Sequence, residues 1–264
     1  MLDRPSPPST NYNRRMPLPQ AAFAFRFWPL PRDASTHGPA LDAHLLLNLW
    51  IALGLLALTH VLVLVALAAR RTHTPPRRQA LIEFIPLAAI AILFAALAAR
   101  AESLWQTARY TGPDPAALQV EVNAMQFVWY FRYPGPDAIF GLTKPELVAP
   151  GEGNPVGLDP TDEYGRDDFV SGQLVIPAGR EVDLRLRSQD VIHGFSVPEM
   201  RLKQNAVPGQ TTHLHFTPTT PGDYAILCTQ VCGTGHFRMA ANLRVLPPAA
   251  FQTWLLQHHA GAAH

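Results

Sequence analysis

The sequence predicts a two-helix transmembrane hairpin followed by an all-β domain. Three observations predict it. Two long apolar runs are joined by a short arginine-rich turn in the first hundred of 264 residues. After Ala101 the composition shifts to short, alternating apolar runs separated by Pro and Gly. Near the end, the only two cysteines of the chain fall within twelve residues of a histidine and a methionine. The formal net charge of +1 gives no electrostatic case for a nucleic-acid partner.

Residues 1–40 carry eight prolines, five arginines and no long unbroken apolar run, which predicts an irregular tail. Ala21–Leu30 is short, apolar and aromatic, suited to lying against a membrane or a partner subunit. The first residues lack the basic-then-apolar pattern of a secretory signal, so the first long apolar segment is expected to act as an uncleaved anchor. That segment, Ala43–Ala69, has 27 residues and no Asp, Glu, Lys or Arg. About 20 apolar residues already cross a bilayer core of roughly 30 Å. A second run, Leu81–Ala99, holds one acid, Glu83, near its start. The two runs place a hairpin at 41–102. The turn between them contains Arg70, Arg71, Arg77 and Arg78, which the positive-inside rule assigns to the cytoplasm. Both tails then face the other side.

Residues 103–247 read as the β domain. Strand signals fall at Leu118–Val122, running on into Met125–Tyr133, and at Gly172–Pro177, Glu181–Leu186, Thr211–Phe216, Asp223–Cys228 and Met239–Leu246. Residues 134–169 interrupt them with Gly, Pro and acids, and are expected as a surface insertion facing partners. Residues 248–264 predict a short amphipathic helix and a tail.

Cys228, Cys232, His236 and Met239 lie within one glycine-bounded segment. Soft sulfur with imidazole selects copper or zinc over hard cations, and a thioether argues against zinc. A lone cysteine pair is also compatible with a structural disulfide. Two thiolates can bridge two copper ions, each capped by one histidine, which calls for a second histidine. His193, in Ser188-Gln-Asp-Val-Ile-His193, is available.

With these two segments the chain resembles subunit II of haem–copper cytochrome c oxidases, over roughly Leu41–Leu246. The resemblance implies a Greek-key cupredoxin domain whose ligand loop joins the last two strands and holds a dinuclear copper centre, CuA. His193 and Met239 would ligate one copper. His236 and the main-chain carbonyl of Gln230 would ligate the other, with Cys228 and Cys232 bridging both. Electrons would come from a c-type cytochrome, whether soluble, membrane-bound or in a supercomplex. They would pass to haem in subunit I, where oxygen is reduced to water with proton translocation. The implied setting is a bacterial inner membrane, with the copper domain in the periplasm beside subunit I and the other oxidase subunits.

The chain departs from the family pattern at several positions. Phe127 stands where the family has the tryptophan that receives electrons, and Trp129 falls on a neighbouring family aromatic. Gln230 replaces a glutamate whose carboxylate helps bind magnesium, and Asn205 replaces an aspartate. Glu83 matches an acid that opens a proton pathway, although Pro86 follows it at a different spacing. Asp190 and Gln230 are candidates to orient the ligating imidazoles. No Cys-x-x-Cys-His motif for a covalently attached haem occurs.

His213 and His215 share a strand face and suggest a zinc clip, against the blander reading of solvent-facing histidines. His60 would make a polar contact with a partner helix. A membrane-anchored copper-delivery protein for oxidase assembly is the alternative function. It would have no reason to keep the aromatic strand or the two-helix anchor. A quinol oxidase subunit II would lack the cysteines, and the copper domain of nitrous oxide reductase would lack the hairpin.

Overall fold

The structure is a computed structural model, and it describes residues 30–69 and 76–262. The expected tail up to residue 29, most of the arginine turn, and His264 lie outside the described residues.

Helix α1 spans Gly38–Ala68 and α2 spans Pro76–Trp105. At 1.5 Å per residue each is about 45 Å long, enough to cross a bilayer with overhang at both ends. Their apolar side chains stand open all round: Leu64 is 65 % exposed and Phe94 72 %. A helix apolar on every side and left uncovered is built for lipid or for a partner helix. Glu83 lies two turns into α2, where Gln79 Nε2 donates to its Oε1 at 3.3 Å. His60 turns back onto its own helix, Nδ1 lying 2.8 Å from the Leu56 carbonyl.

The β domain is a sandwich of two five-stranded sheets. The strands are β1 Leu118–Met125, β2 Val128–Tyr133, β3 Phe169–Ser171, β4 Leu174–Pro177 and β5 Val182–Ser188. Beyond them come β6 His193–Val197, β7 Leu202–Ala206, β8 Thr212–Phe216, β9 Gly222–Cys228 and β10 Ala240–Leu246. One sheet runs β3-β2-β1-β5-β8 and the other β4-β10-β9-β6-β7. The β1–β5 and β4–β10 pairs are parallel and every other pair is antiparallel. Alternation sends Val120, Val122 and Ala124 of β1 and Leu184 and Leu186 of β5 inward, against Phe195, Ile226 and Leu243 of the second sheet. Helix α3, Pro248–Ala262, covers one end of the core, with Phe251 fully buried and Trp254 edge-on to Tyr133.

Several expectations need correction. The aromatic run Met125–Tyr133 is not one strand. It turns at Gln126–Phe127, so that β1 and β2 form a hairpin with Met125 opposite Val128. β3, β6 and β7 lie outside the segments with a strand signal. Residues 34–36, expected in the irregular tail, are pinned to the sandwich: the Ala34 N–H donates to the Glu199 carbonyl at 2.8 Å and Ala34 is 2 % exposed.

The insertion before β3 closes over the outer face of the first sheet. There Arg132, 1 % exposed, lies opposite Glu121 and pairs with Asp168 at the end of the insertion. The Gly141 N–H donates to the same Asp168 oxygen at 2.9 Å. Phe140 sits between the Arg132 and Arg185 guanidiniums, each 5.1 Å from its ring centre.

Two arginines tie the hairpin to the β domain. Arg201 makes a two-pronged pair with Asp42 of α1, at 2.7 and 2.8 Å. Arg109, just beyond α2, donates to the Lys203 carbonyl at 2.6 Å and to Gln204 Oε1 at 3.3 Å. Both ties land at the start of β7, the strand paired with β6.

Candidate metal centre

The centre is built where β9 ends and β10 begins. The antiparallel β9–β10 pair holds the ends of segment 229–239 together, and Ala240 pairs with Leu227. The Cys228 N–H donates to the Met239 carbonyl at 3.1 Å, closing the neck of the loop. Inside it, Gly233 and His236 carbonyls accept from the His236 and Met239 N–H groups, curling 236–238 into a single 3₁₀ turn. This curl turns His236 and Met239 back toward the cysteines. β6 lies beside β9 and delivers His193 to the same place, and the Thr229 N–H donates to the Gly194 carbonyl at 2.8 Å.

The donor atoms converge. His193 Nδ1 is 3.1 Å from Met239 Sδ. Cys232 Sγ is 3.6 Å from His236 Nδ1 and 3.8 Å from Met239 Sδ. Cys228 Sγ is 3.2 Å from the Gln230 carbonyl oxygen and 3.9 Å from Cys232 Sγ. A disulfide would need about 2.05 Å, so both thiols are free. His193 is fully buried, Met239 is 2 % exposed and Cys232 5 %, while Cys228, Gln230 and His236 are half-buried.

Two donors bonded to one ion at about 2.0–2.3 Å lie no more than about 4.6 Å apart. The separations above fall inside that limit. Donor atoms of His193, Cys228 and Cys232 all lie within 4.8 Å of one another, the one such cluster among the described residues. Two thiols, two imidazoles, a thioether and a carbonyl form a soft donor set that fits copper.

Burial pushes the Cys232 thiol up to about 11, reinforced by the neighbouring Cys228 sulfur, so an incoming metal must displace its proton. His193 Nε2 contacts Asp190 Oδ1 at 2.8 Å, which leaves Nδ1 aimed at the sulfurs. Burial raises the Asp190 carboxyl, but hydrogen bonds from His193 and from the Gln126 and Val191 N–H groups outweigh it and hold it below the usual carboxylate range.

Trp129 is 1 % exposed and meets the His193 ring edge-on at 6.0 Å. Phe127 is half-buried at the rim, over Gly235, with the Arg238 guanidinium 5.8 Å from its ring centre. Of the two aromatics expected at the point where electrons arrive, only Phe127 reaches the surface. Gln126, which touches both sides of the centre, carries no signal in the sequence beyond its place just before Phe127. His213 and His215 form no shared clip. Each holds its own carboxylate, Asp183 at 3.1 Å and Glu181 at 3.0 Å. Asn205 Oδ1 is buried with no hydrogen-bond partner.

The family described as cytochrome c oxidase subunit II, periplasmic domain, matches residues 120–245. Residues 120–245 thus resemble the periplasmic domain of cytochrome c oxidase subunit II. Relatives of the chain include the alternative cytochrome c oxidase subunit 2 of Bradyrhizobium diazoefficiens, 38 % identical over 143 residues, covering 53 % of this chain and 51 % of that one. Another is cytochrome c oxidase subunit 2 of Thermostichus vulcanus, 35 % identical over 143 residues, covering 54 % and 34 %. The chain spans about half or less of the length of these curated relatives. Among solved structures, the periplasmic domain of subunit II of cytochrome oxidase from Bradyrhizobium japonicum superposes with a TM-score of 0.43 at 22 % identity, over 58 % of this chain and 100 % of that one.

Proposed function

We propose that this chain is the copper-bearing subunit II of a haem–copper cytochrome c oxidase in a bacterial inner membrane, with its β domain in the periplasm. In that role it takes electrons from a c-type cytochrome and passes them to haem in subunit I, where oxygen is reduced to water with proton translocation. The convergence of two free thiols, two imidazoles, a thioether and the Gln230 carbonyl in one pocket carries this reading.

Cys228, Cys232, His193, Met239, His236 and the Gln230 carbonyl would hold the two coppers. Bound copper would supply a one-electron couple shared between two ions. The residues' own work is to hold that geometry constant. β6 and the β9–β10 neck fix the ligands to two paired strands, and Asp190 fixes the His193 ring. The half-buried loop also keeps bulk water from Met239 and Cys232. Phe127, at the rim, is the aromatic a donor would meet, and Trp129 backs the His193 ring from inside.

Glu83, an acid on the lipid-facing hairpin, is assigned to proton uptake. In the assembled oxidase, Glu83→Ala should lower turnover and proton pumping, and unchanged values would remove it from the pathway. For the centre itself, the full chain loaded with copper under reducing conditions and then oxidised should bind two coppers. Its electron paramagnetic resonance should show one electron delocalised over both. Uptake of a single ion, or none, rejects the assignment.

A further inference from the structure

We propose that Gln126 is a positioning residue that couples the two halves of the centre, and that the β1–β2 turn is the template on which segment 232–235 is moulded. The inference rests on the copper reading for its consequence but not for its geometry.

The ligands come from two distant places in the chain. His193 opens β6, whereas the sulfurs and His236 belong to the β9–β10 loop. Gln126 touches both. Its backbone N–H donates to Asp190 Oδ2 at 2.7 Å, while the other oxygen of that carboxylate holds His193 Nε2 at 2.8 Å. Its side-chain Nε2 donates to the Cys232 carbonyl at 2.6 Å. One residue therefore sets the heading of an imidazole through one arm and the backbone of a thiolate ligand through the other.

The neighbouring contacts show how closely the loop fits this turn. A Cβ placed on Gly235 would stand 2.3 Å from Phe127 Cδ2, and one on Gly233 would stand 2.8 Å from Gln126 Nε2. Gly233 also has φ +135°, a conformation that residues with a Cβ rarely adopt. The two glycines after Cys232 are thus the imprint of Gln126 and Phe127 on the loop.

The side-chain arm has strict chemical requirements. A carbonyl needs a donor, so Glu at neutral pH presents only acceptors to it. Asn keeps the donor but is one methylene short. Substitutions at position 126 leave the backbone arm to Asp190 intact, and so isolate the Cys232 contact.

The test uses the full chain in detergent, as wild type, Gln126→Glu and Gln126→Asn. The chain has two cysteines, so alkylation mapped by peptide mass assigns each thiol without ambiguity. In the reduced, metal-free chain, loss of one hydrogen bond should free the Cys232 segment and raise its alkylation rate roughly two- to tenfold, with Cys228 little changed. After copper loading, both variants should shift the visible absorption and the copper hyperfine pattern, and should release copper faster to a chelator. Equal Cys232 alkylation rates in all three proteins would overturn the positioning role whatever metal is bound. A wild-type chain that takes up no copper would reject the centre instead, and the metal-free alkylation rates would still decide for or against Gln126.

Discussion

Two irregular segments leave the sandwich, and they are held by opposite means. The insertion that follows β2 is long, yet it is anchored through groups that need nothing from outside the chain. Asp168 closes on the buried Arg132, Phe140 lies between two guanidiniums, and the Lys144 ammonium meets Asp159 at 2.7 Å. The ligand loop is short and its inward side chains are donors rather than apolar groups. Hydrogen bonds hold its outline, while the donors at its centre face one another. Such groups attract each other little until a cation sits among them. One segment is complete as folded, and the other is shaped for something it must acquire.

The sharpest way to separate the two is Cys232→Ser. It should abolish two-copper uptake, read as loss of copper per chain by elemental analysis. Amide hydrogen exchange across the insertion should stay as in wild type. If the insertion also lost protection, the two segments would be coupled and the contrast above would fail.

Arg132→Met attacks the other side. It leaves the Asp168 and Glu121 carboxylates buried beside an apolar chain, and breaking a buried pair this way costs about 3–5 kcal/mol. Urea unfolding of the metal-free chain should report that loss, while the chain that remains folded still captures copper. A smaller effect is expected for Asp190→Asn, which keeps the shape but removes the carboxylate behind His193. Loss of such a partner lowers metal affinity by about 10–100-fold, measurable by competition with a chelator.

The smallest effect concerns pH. The Lys144 ammonium, with the Thr161 hydroxyl and N–H, holds the Asp159 carboxyl down at about 2. A carboxyl lowered on folding stabilises in full above its unfolded value, near 3.8, and that contribution fades as pH falls toward 2. Wild type should therefore lose stability between pH 4 and 2 more steeply than Asp159→Asn. Parallel urea midpoints would show that the pair is not holding the insertion.

Much of this architecture was legible in the chain. The hairpin helices followed from unbroken apolar runs, and β1, β5, β8, β9 and β10 from alternation against polar neighbours. β6 escaped because it is buried on both faces and opens with His193-Gly194, so it shows neither alternation nor a β-branched run. The turn at Gln126–Phe127 escaped because no Gly, Pro, Asn or Asp marks it. At the centre, the donor residues were visible as a spacing pattern, and Asp190 as a neighbour of His193. Gln126 was not visible, because its contact with Cys232 joins residues 106 positions apart. The anchoring of the insertion was hidden for the same reason: Arg132 reads as one charge in an aromatic strand until the fold brings Asp168 to it.

The paired arginine ties at the start of β7 bear on how far the head can travel. Arg201 grips α1 and Arg109 reaches out from the end of α2, so both hairpin helices brace the strand next to the one that opens with His193. A head braced at two points cannot swing on a leash. In the proposed role its height above the lipid would be set, and whatever exchanged electrons with it would have to come to that fixed altitude.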